Sequence, residues 1–429
     1  MRHARLFVFT VILLGFLVSP AWADVAPGDV ITKDNAQKID GLVPDFIMDA
    51  VKKGDLTMNI GKLDFDKKGF WPKEVLENWD SNIGKYKLDE NNGIVDAATG
   101  EKVRGVKGLP FPEPDPKDPN MVAQLMWNTV FMEYFVRGDC HQLMRWFSVN
   151  RSGLEKKLLM ENYCLPADKD RSRFDYIQLS VLKEPFNIAG TGTLVHYALY
   201  PMDGGMRFVW TPELRKIRRV SHRLSGTEEH FGLDNGPDDY WSGGPRSAME
   251  QARYQFIEEK DALVPYVSSA PQKLVKKGDA LVGGDLAGNK KLKVGFEDPE
   301  WKGAPWNLTN IIWVKTKVYV FNSDSTDPNY SYGTCQGWVE KGTCVPSYKI
   351  INDKNGKLWK GQYWCGAPFS TEDGSCRFVF KWGQVMVNMR RDHGSTYCGP
   401  FRDGCYMKTF SEGINKKNFT RAGFAKFSR

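Results

Sequence analysis

The spacing of apolar residues changes character along the chain, and each change predicts a different kind of element. From Ile31 to Gly54 it suits two short helices. Thr32 or Asp34 can cap the first, Pro44 sits near the start of the second, and Lys52-Lys53-Gly54 supplies a basic last turn and a C-cap glycine. Phe46, Ile47, Ala50 and Val51 fall on one face of the second helix, which must cover something. From Met58 to Val106 turn signals dominate, at Asp66 to Gly69, Asn91-Asn92-Gly93 and Thr99-Gly100, and predict hairpins. Prolines between Pro110 and Pro119 then form a stiff extended connection. After it, Asn120 caps a predicted helix running to about Phe135. Its apolar residues, including Leu125, Met126, Trp127, Val130, Phe131 and Tyr134, surround the axis, so it needs cover on more than one side.

Strand patterns take over from Phe174 to Val220, with β-rich runs at Thr191 to Tyr200 and Met206 to Trp210 and a turn at Thr211 to Leu214. In the strand that follows, Arg215, Ile217 and Arg219 alternate with Lys216, Arg218 and Val220. Neither face is apolar, so a rim strand is predicted. A Gly/Asp/Pro-rich loop from Gly232 to Pro245 leads to a predicted helix at Ser247 to Lys260. Beyond Leu263, short aromatic and β-branched runs alternate with turns, as at Ile311 to Phe321, Tyr348 to Trp359 and Phe378 to Met389. No internal repeat is visible. The residues read as a mainly β, α+β chain.

Composition sets further limits. Residues 1–23 read as an export leader, with Arg2 and Arg5, an apolar run from Leu6 to Val18, and Ala21-Trp22-Ala23 placing the expected cut after Ala23. Export leads to an oxidising compartment, which suits eight cysteines. Cys140 and Cys164 stand apart and are expected to bridge each other. Cys335/Cys344, Cys365/Cys376 and Cys398/Cys405 are close pairs around turn residues such as Gly342, Gly374 and Gly399, which favours three local staples. Other pairings stay open on sequence alone. The formal charge of +7 includes two leader arginines, leaving +5, too little to indicate a polyanion partner. Nucleic acid is not expected.

Candidate chemistry is sparse. There is no Gly-x-Ser-x-Gly elbow, Walker loop, dinucleotide fingerprint or His-Glu-x-x-His. Cys-x-x-Cys is absent, and the cysteine gaps do not suit zinc. A metal set of His222, Glu229 and His230, and a calcium loop of Asp234, Asp238 and Asp239, are each weighed against plain turns and surface histidines, and the plain reading is preferred. No catalytic residue, metal or cofactor is assigned. Fourteen tryptophans fill a large core or line an apolar cavity. The segment Lys416 to Arg429 interleaves Phe419, Phe424 and Phe427 with basic residues, as a docked terminus or an anionic-membrane contact would.

Several short motifs carry a family resemblance. They are Pro110-Phe111-Pro112 followed by Trp127-Asn128, Leu194-Val195-His196, the run Phe208 to Arg219 with its Trp-x-Pro-x-x-Arg-Lys-x-Arg-Arg pattern, Asp238 to Gly244, and Leu263-Val264-Pro265-Tyr266. In these the chain resembles bacterial periplasmic proteins of unknown function, often labelled outer-membrane lipoprotein-sorting proteins. The cysteine-rich segment after Cys335 departs from the usual pattern of that family. The family resembles the lipoprotein-carrier fold, which implies a large curved antiparallel sheet, or incomplete barrel, with a few helices covering its concave face, here with a disulfide-reinforced C-terminal part. On that frame, residues 24–107 form N-terminal helices and hairpins continuous with a curved-sheet domain at 108–429.

The resemblance implies a periplasmic carrier, peripheral to the outer membrane, for a lipid, lipoprotein acyl chain or other hydrophobic molecule. Its implied partner is an inner-membrane exporter of the resistance-nodulation-division type or an outer-membrane protein. Trp127, Phe131, Tyr134, Phe208 and Trp210 are the expected cavity residues, with Arg215, Arg218 and Arg219 facing an anionic headgroup or solvent. The alternatives are a non-catalytic envelope scaffold and, less favoured, a metal-dependent envelope enzyme.

Overall fold

Strand β1 (Val30–Ile31) pairs antiparallel with β2 (Met58–Gly61), and the expected pair of short helices lies between them. The structure is a computed structural model that describes residues 25–103, 105–134, 138–166, 176–197, 205–220, 231–236, 239, 252–409, 414 and 416–427; the leader and its cleavage site lie outside them. The first of the pair is a 3-10 turn at Ala36–Ile39, capped at Asn35 instead of Thr32 or Asp34. The second, α1 (Asp45–Lys52), follows Pro44 and stops before Gly54, whose φ of +78° suits glycine. Phe46 on α1 packs against Gly361, where a Cβ would lie 2.5 Å from the ring. Only glycine there lets the helix seat on the sheet.

The region expected to hold hairpins contains one, β3 (Tyr86–Leu88) with β4 (Ile94–Asp96), turned at Asn91-Asn92-Gly93 with Asn92 at φ 59°. Thr99-Gly100 closes an isolated bridge between Val95 and Lys102. Two short helices, α2 (Lys73–Glu77) and α3 (Trp79–Asn82), were not foreseen; Pro72 starts the first. Helix α4 (Met121–Tyr134) is the helix the apolar pattern predicts, and Phe135 lies outside the described residues.

Strands β5 (Cys140–Asn150), β6 (Gly153–Pro166), β7 (Tyr176–Glu184), β8 (Gly192–Tyr197), β9 (Met206–Thr211) and β10 (Lys216–Val220) form an antiparallel meander, each paired with the next. Arg215 belongs to the β9–β10 turn, at φ 47°. Strand β11 (Ala252–Tyr266) stands where a helix was predicted at Ser247 to Lys260, of which residues 252–260 are described. Tyr254 and Phe256 alternate with exposed Arg253 and Gln255, a period of two, and β11 pairs with β15 along its whole length. That pairing outweighs the helix preference of Glu258, Glu259 and Lys260.

Short strands β12 (Gln272–Lys273), β13 (Val275–Lys277) and β14 (Ala280–Gly284) precede the long ones: β15 (Ile312–Ser325), β16 (Thr334–Glu340), β17 (Pro346–Asn352), β18 (Leu358–Ser370), β19 (Arg377–Asn388), β20 (His393–Gly399) and β21 (Tyr406–Thr409). Among the described residues nineteen strands join one sheet. Its main order is β10-β9-β8-β7-β6-β5-β20-β19-β18-β17-β16-β15-β11, antiparallel throughout. β21 continues the line of β20 along β5. At the far end β11 returns against β18, pairing Tyr266 with Gly366 in parallel. β11, β15, β16, β17 and β18 thus close a ring, and β19, β20 and β5 to β10 extend from it as a wing. Trp313, Trp338, Tyr348 and Tyr363 fill the ring, with ring centroids 5.5–6.5 Å apart, and Tyr348 donates to the Leu263 carbonyl across it.

The C-terminus ends as a 3-10 turn at Lys416–Phe419 and helix α5 (Arg421–Phe427), docked on the wing. Phe419 and Phe424 bury against Leu165, Leu179, Val181, Leu194 and Trp210. No described helix is long and apolar enough to cross a membrane.

No two of the eight cysteines are joined by a disulfide in this structure. Cys140 and Cys164 oppose each other directly across β5 and β6. The local staples fare differently. Cys335 begins β16, while Cys344 lies in the turn beyond its far end, roughly 15 Å or more away at strand rise. Cys365 sits inside β18, and Cys376 closes the hairpin at its tip beside Thr371. Neither pair can bridge without unpairing a strand. Cys398 and Cys405 flank the break between β20 and β21; burial pushes the Cys398 thiol pKa up, and the nearby Cys405 adds to it.

Candidate functional site

Strand register sorts the wing into two faces. On one, Trp210 and Phe208 lie opposite Gly192 and Leu194, with Val181, Leu179 and Tyr163 on the strands beyond. α5 covers this face, and Phe427 meets Tyr163 edge-on at 5.3 Å. Here also Glu161 accepts from His141, Tyr163 and Lys183, each at 2.8 Å. Burial raises its pKa, but those three partners outweigh it and hold Glu161 at about 2.

The other face carries Met144, Trp146, Leu158, Met160 and Leu182, which belong to the main core, as does α4. α4 packs on both β11 and β6, which lie on opposite sides of β18 and β19 in the sheet order. The sheet therefore curls around the helix. Every side chain described from Met121 to Met132 on α4 is buried, Trp127 completely. Trp127 donates to the Asn92 carbonyl at 2.8 Å, and Asn128 pins the backbone of Phe111. Methionines recur in the core that holds both elements: Met121, Met126 and Met132 on the helix, and the cross-strand pair Met144 and Met160 on the sheet.

The expected cavity residues therefore divide. Trp127 and Phe131 lie together on α4, with ring centroids 6.3 Å apart. Phe208 and Trp210 face α5 on the opposite side of the sheet, so the five do not line one space. The Tyr134 side chain lies outside the described residues. Arg215, Arg218 and Arg219 are all exposed, and alternation turns Arg218 and Arg219 to opposite faces of the rim strand. His222, Glu229, His230 and Asp238 lie outside the described residues.

Sequence reasoning missed a polar cluster on the α4 side of the sheet. Asp234 accepts from Asn388 Nδ2 at 3.0 Å, from Ser395 Oγ at 3.1 Å and from His393 Nδ1. Nε2 of His393 lies 3.0 Å from Glu155 and 3.1 Å from Ser148 Oγ. Asp239 accepts from Tyr332 at 2.9 Å and pairs with Lys360 at 3.4 Å and Lys349 at 3.9 Å. Lys360 also donates to the Asp234 carbonyl at 2.6 Å. The described part of the segment 231–239 is thus fastened across β17 to β20 and β5. Asp234 and Asp239 were candidates for calcium, and the structure gives both of them protein cations or donors.

Ser148, His393 and Asp234 stand in the order of a hydrolytic triad, but the electrostatics differ. The hydrogen bond from Asp234 is the main influence raising the His393 pKa; burial opposes it and Glu155 adds to it. Two carboxylates that favour the charged imidazole make it a poorer base toward Ser148. Ser148 is buried on β5, paired with Ser395 of β20. The cluster is a clamp.

Among curated proteins none matches the chain. Solved structures similar to it include an outer-membrane lipoprotein-sorting protein domain from Vibrio parahaemolyticus, at 14% identity and TM-score 0.47 over 72% of this chain and all of that one. A DUF1329 family protein from Desulfovibrio piger aligns at 14% identity and TM-score 0.46, over 71% of this chain and 99% of that one. A LolA superfamily protein from Nitrosomonas europaea aligns at 11% and 0.39, over 70% and 97%. The family model described as protein of unknown function, DUF1329, matches residues 30–419, and the chain belongs to that family.

Proposed function

We propose that this protein is a periplasmic carrier of a lipid, a lipoprotein acyl chain or a similar hydrophobic molecule. The observation that carries the reading is the contact between α4 and the curled sheet. A helix apolar on every side, held inside a sheet and packed through methionines, is a replaceable filling. Unbranched thioether side chains repack at low cost, so an acyl chain can take the place of part of that contact. Each methylene removed from water contributes about 0.8 kcal/mol, so a chain of some fifteen carries on the order of 12 kcal/mol and needs such a shelter between membranes.

In this reading the ligand passes to or from an inner-membrane exporter of the resistance-nodulation-division type, or an outer-membrane protein. The oxidising periplasm joins Cys140 to Cys164, whose direct opposition matches the Cα spacing a disulfide needs. The test is lipid analysis of the protein purified from its native periplasm. Stoichiometric acyl lipid in the organic extract is expected; a folded protein that yields none overturns the reading.

A further inference from the structure

Two glutamines occupy the middle of the α4-side face. Gln362 on β18 and Gln384 on β19 are 0% and 1% exposed. Register puts Gln362 opposite Lys349 and Met386, and Gln384 opposite Trp364 and Tyr397, so all share the face of Trp146 and Ser148. Both amide nitrogens and both amide oxygens lack a hydrogen-bond partner, as does the indole Nε1 of Trp364 beside them. Buried amides are almost always paired, because leaving one unpaired forfeits its hydration with no return. Other unpaired buried atoms occur singly or in pairs, as at Gln142 and Asn235, but these five lie together on two adjacent strands. The neighbouring polar residues of the clamp, Asn388, Ser395 and Lys360, all find partners.

We infer that Gln362, Gln384 and Trp364 form the polar floor of the ligand site and receive the carbonyl end of an acyl group, as carboxylic acid, ester or amide. This rests on the carrier reading and adds to it the chemical class of the cargo. An amide Nε2 or indole N–H donates to the acyl carbonyl, and an amide Oε1 accepts from the hydroxyl or N–H of an acid or amide. The hydrocarbon tail runs along the methionine-rich contact with α4. A polar group fixed at one position with an adaptable apolar channel beyond it selects for the acyl linkage and tolerates different chain lengths.

The experiment uses two fluorescent probes, cis-parinaric acid, which has a carboxyl end, and diphenylhexatriene, which has no polar group. They are titrated into the full chain and into Gln362→Met/Gln384→Met. The double variant is expected to bind the acid about tenfold or more weakly, with hydrocarbon binding unchanged. Its thermal midpoint should hold or rise, since unpaired buried amides are removed. Gln384→Met alone, run alongside as the milder change, should lose about threefold for the acid only. No loss of either probe, or an equal loss of both, overturns the polar floor and leaves the carrier reading standing. Failure of the native chain to bind either probe overturns the carrier reading itself.

Discussion

Asp234 and Asp239 sit on one short segment, yet they fasten it to the sheet by different means. Asp239 is fully buried against Lys360 and Lys349, so removing a partner strands a charge away from water. Lys360→Met should therefore destabilise the protein by about 3–5 kcal/mol, read by urea unfolding. Asp234 instead depends on the protonation of His393. The folded-state pKa of His393 is raised above the ordinary value, so its contribution is full below about pH 6.5 and is lost as pH rises through the folded-state pKa. The charged groups facing it are Asp234 from the segment and Glu155 from β6, with Ser148 beside Nε2. The Tm difference between the native chain and His393→Gln should be largest near about pH 5.5 and shrink as pH rises toward about 9. A difference that stays constant across that range contradicts the clamp.

At the scale of elements, α5 seals one face of the wing, and α4 packs on β6 and β11 in the main core. Phe424→Ala empties a small cluster and should cost about 3–5 kcal/mol. Hydrogen exchange should locate the loss in β7 to β10, with the ring strands unaffected. Oxidation of Cys140 with Cys164 closes a segment that holds β5 to β6, worth about 3 kcal/mol in the chain-entropy model. Non-reducing peptide mapping of periplasmic protein should find that bridge, and should find neither Cys335–Cys344 nor Cys365–Cys376. α4 was legible in the sequence because its signals are local: Asn120 at its start and apolar residues on every side. β11 was not, since its strand state comes from pairing with β15, far along the chain. The staples at Cys335/Cys344 and Cys365/Cys376 do not fit because nearness in sequence across a long strand is distance in space. The clamp was invisible for the converse reason: Asp234 and His393 meet across 159 positions. Gln362 and Gln384 did leave a trace, as polar residues at inward positions of strands otherwise rich in aromatic and aliphatic side chains.

At the scale of the whole molecule, the sheet does two jobs with one surface. Its ring end is packed with aromatic side chains and capped by Phe46, a rigid anchor. Its wing carries the cross-strand pair Met144 and Met160, and the unpaired amides of Gln362 and Gln384 lie on β18 and β19, where ring and wing meet. Rigidity at one end and adaptability at the other is what a carrier needs, since the site must open to load without unfolding the frame. The most direct measurement is photolabelling with a diazirine fatty acid, followed by mapping of labelled residues by mass spectrometry. Label on α4 and on β5, β6, β18 and β19 around Met126, Met144, Met160 and Gln384 is the predicted result. Label confined to the α5 side, or to the outer surface alone, would contradict a ligand site inside the curl of the sheet.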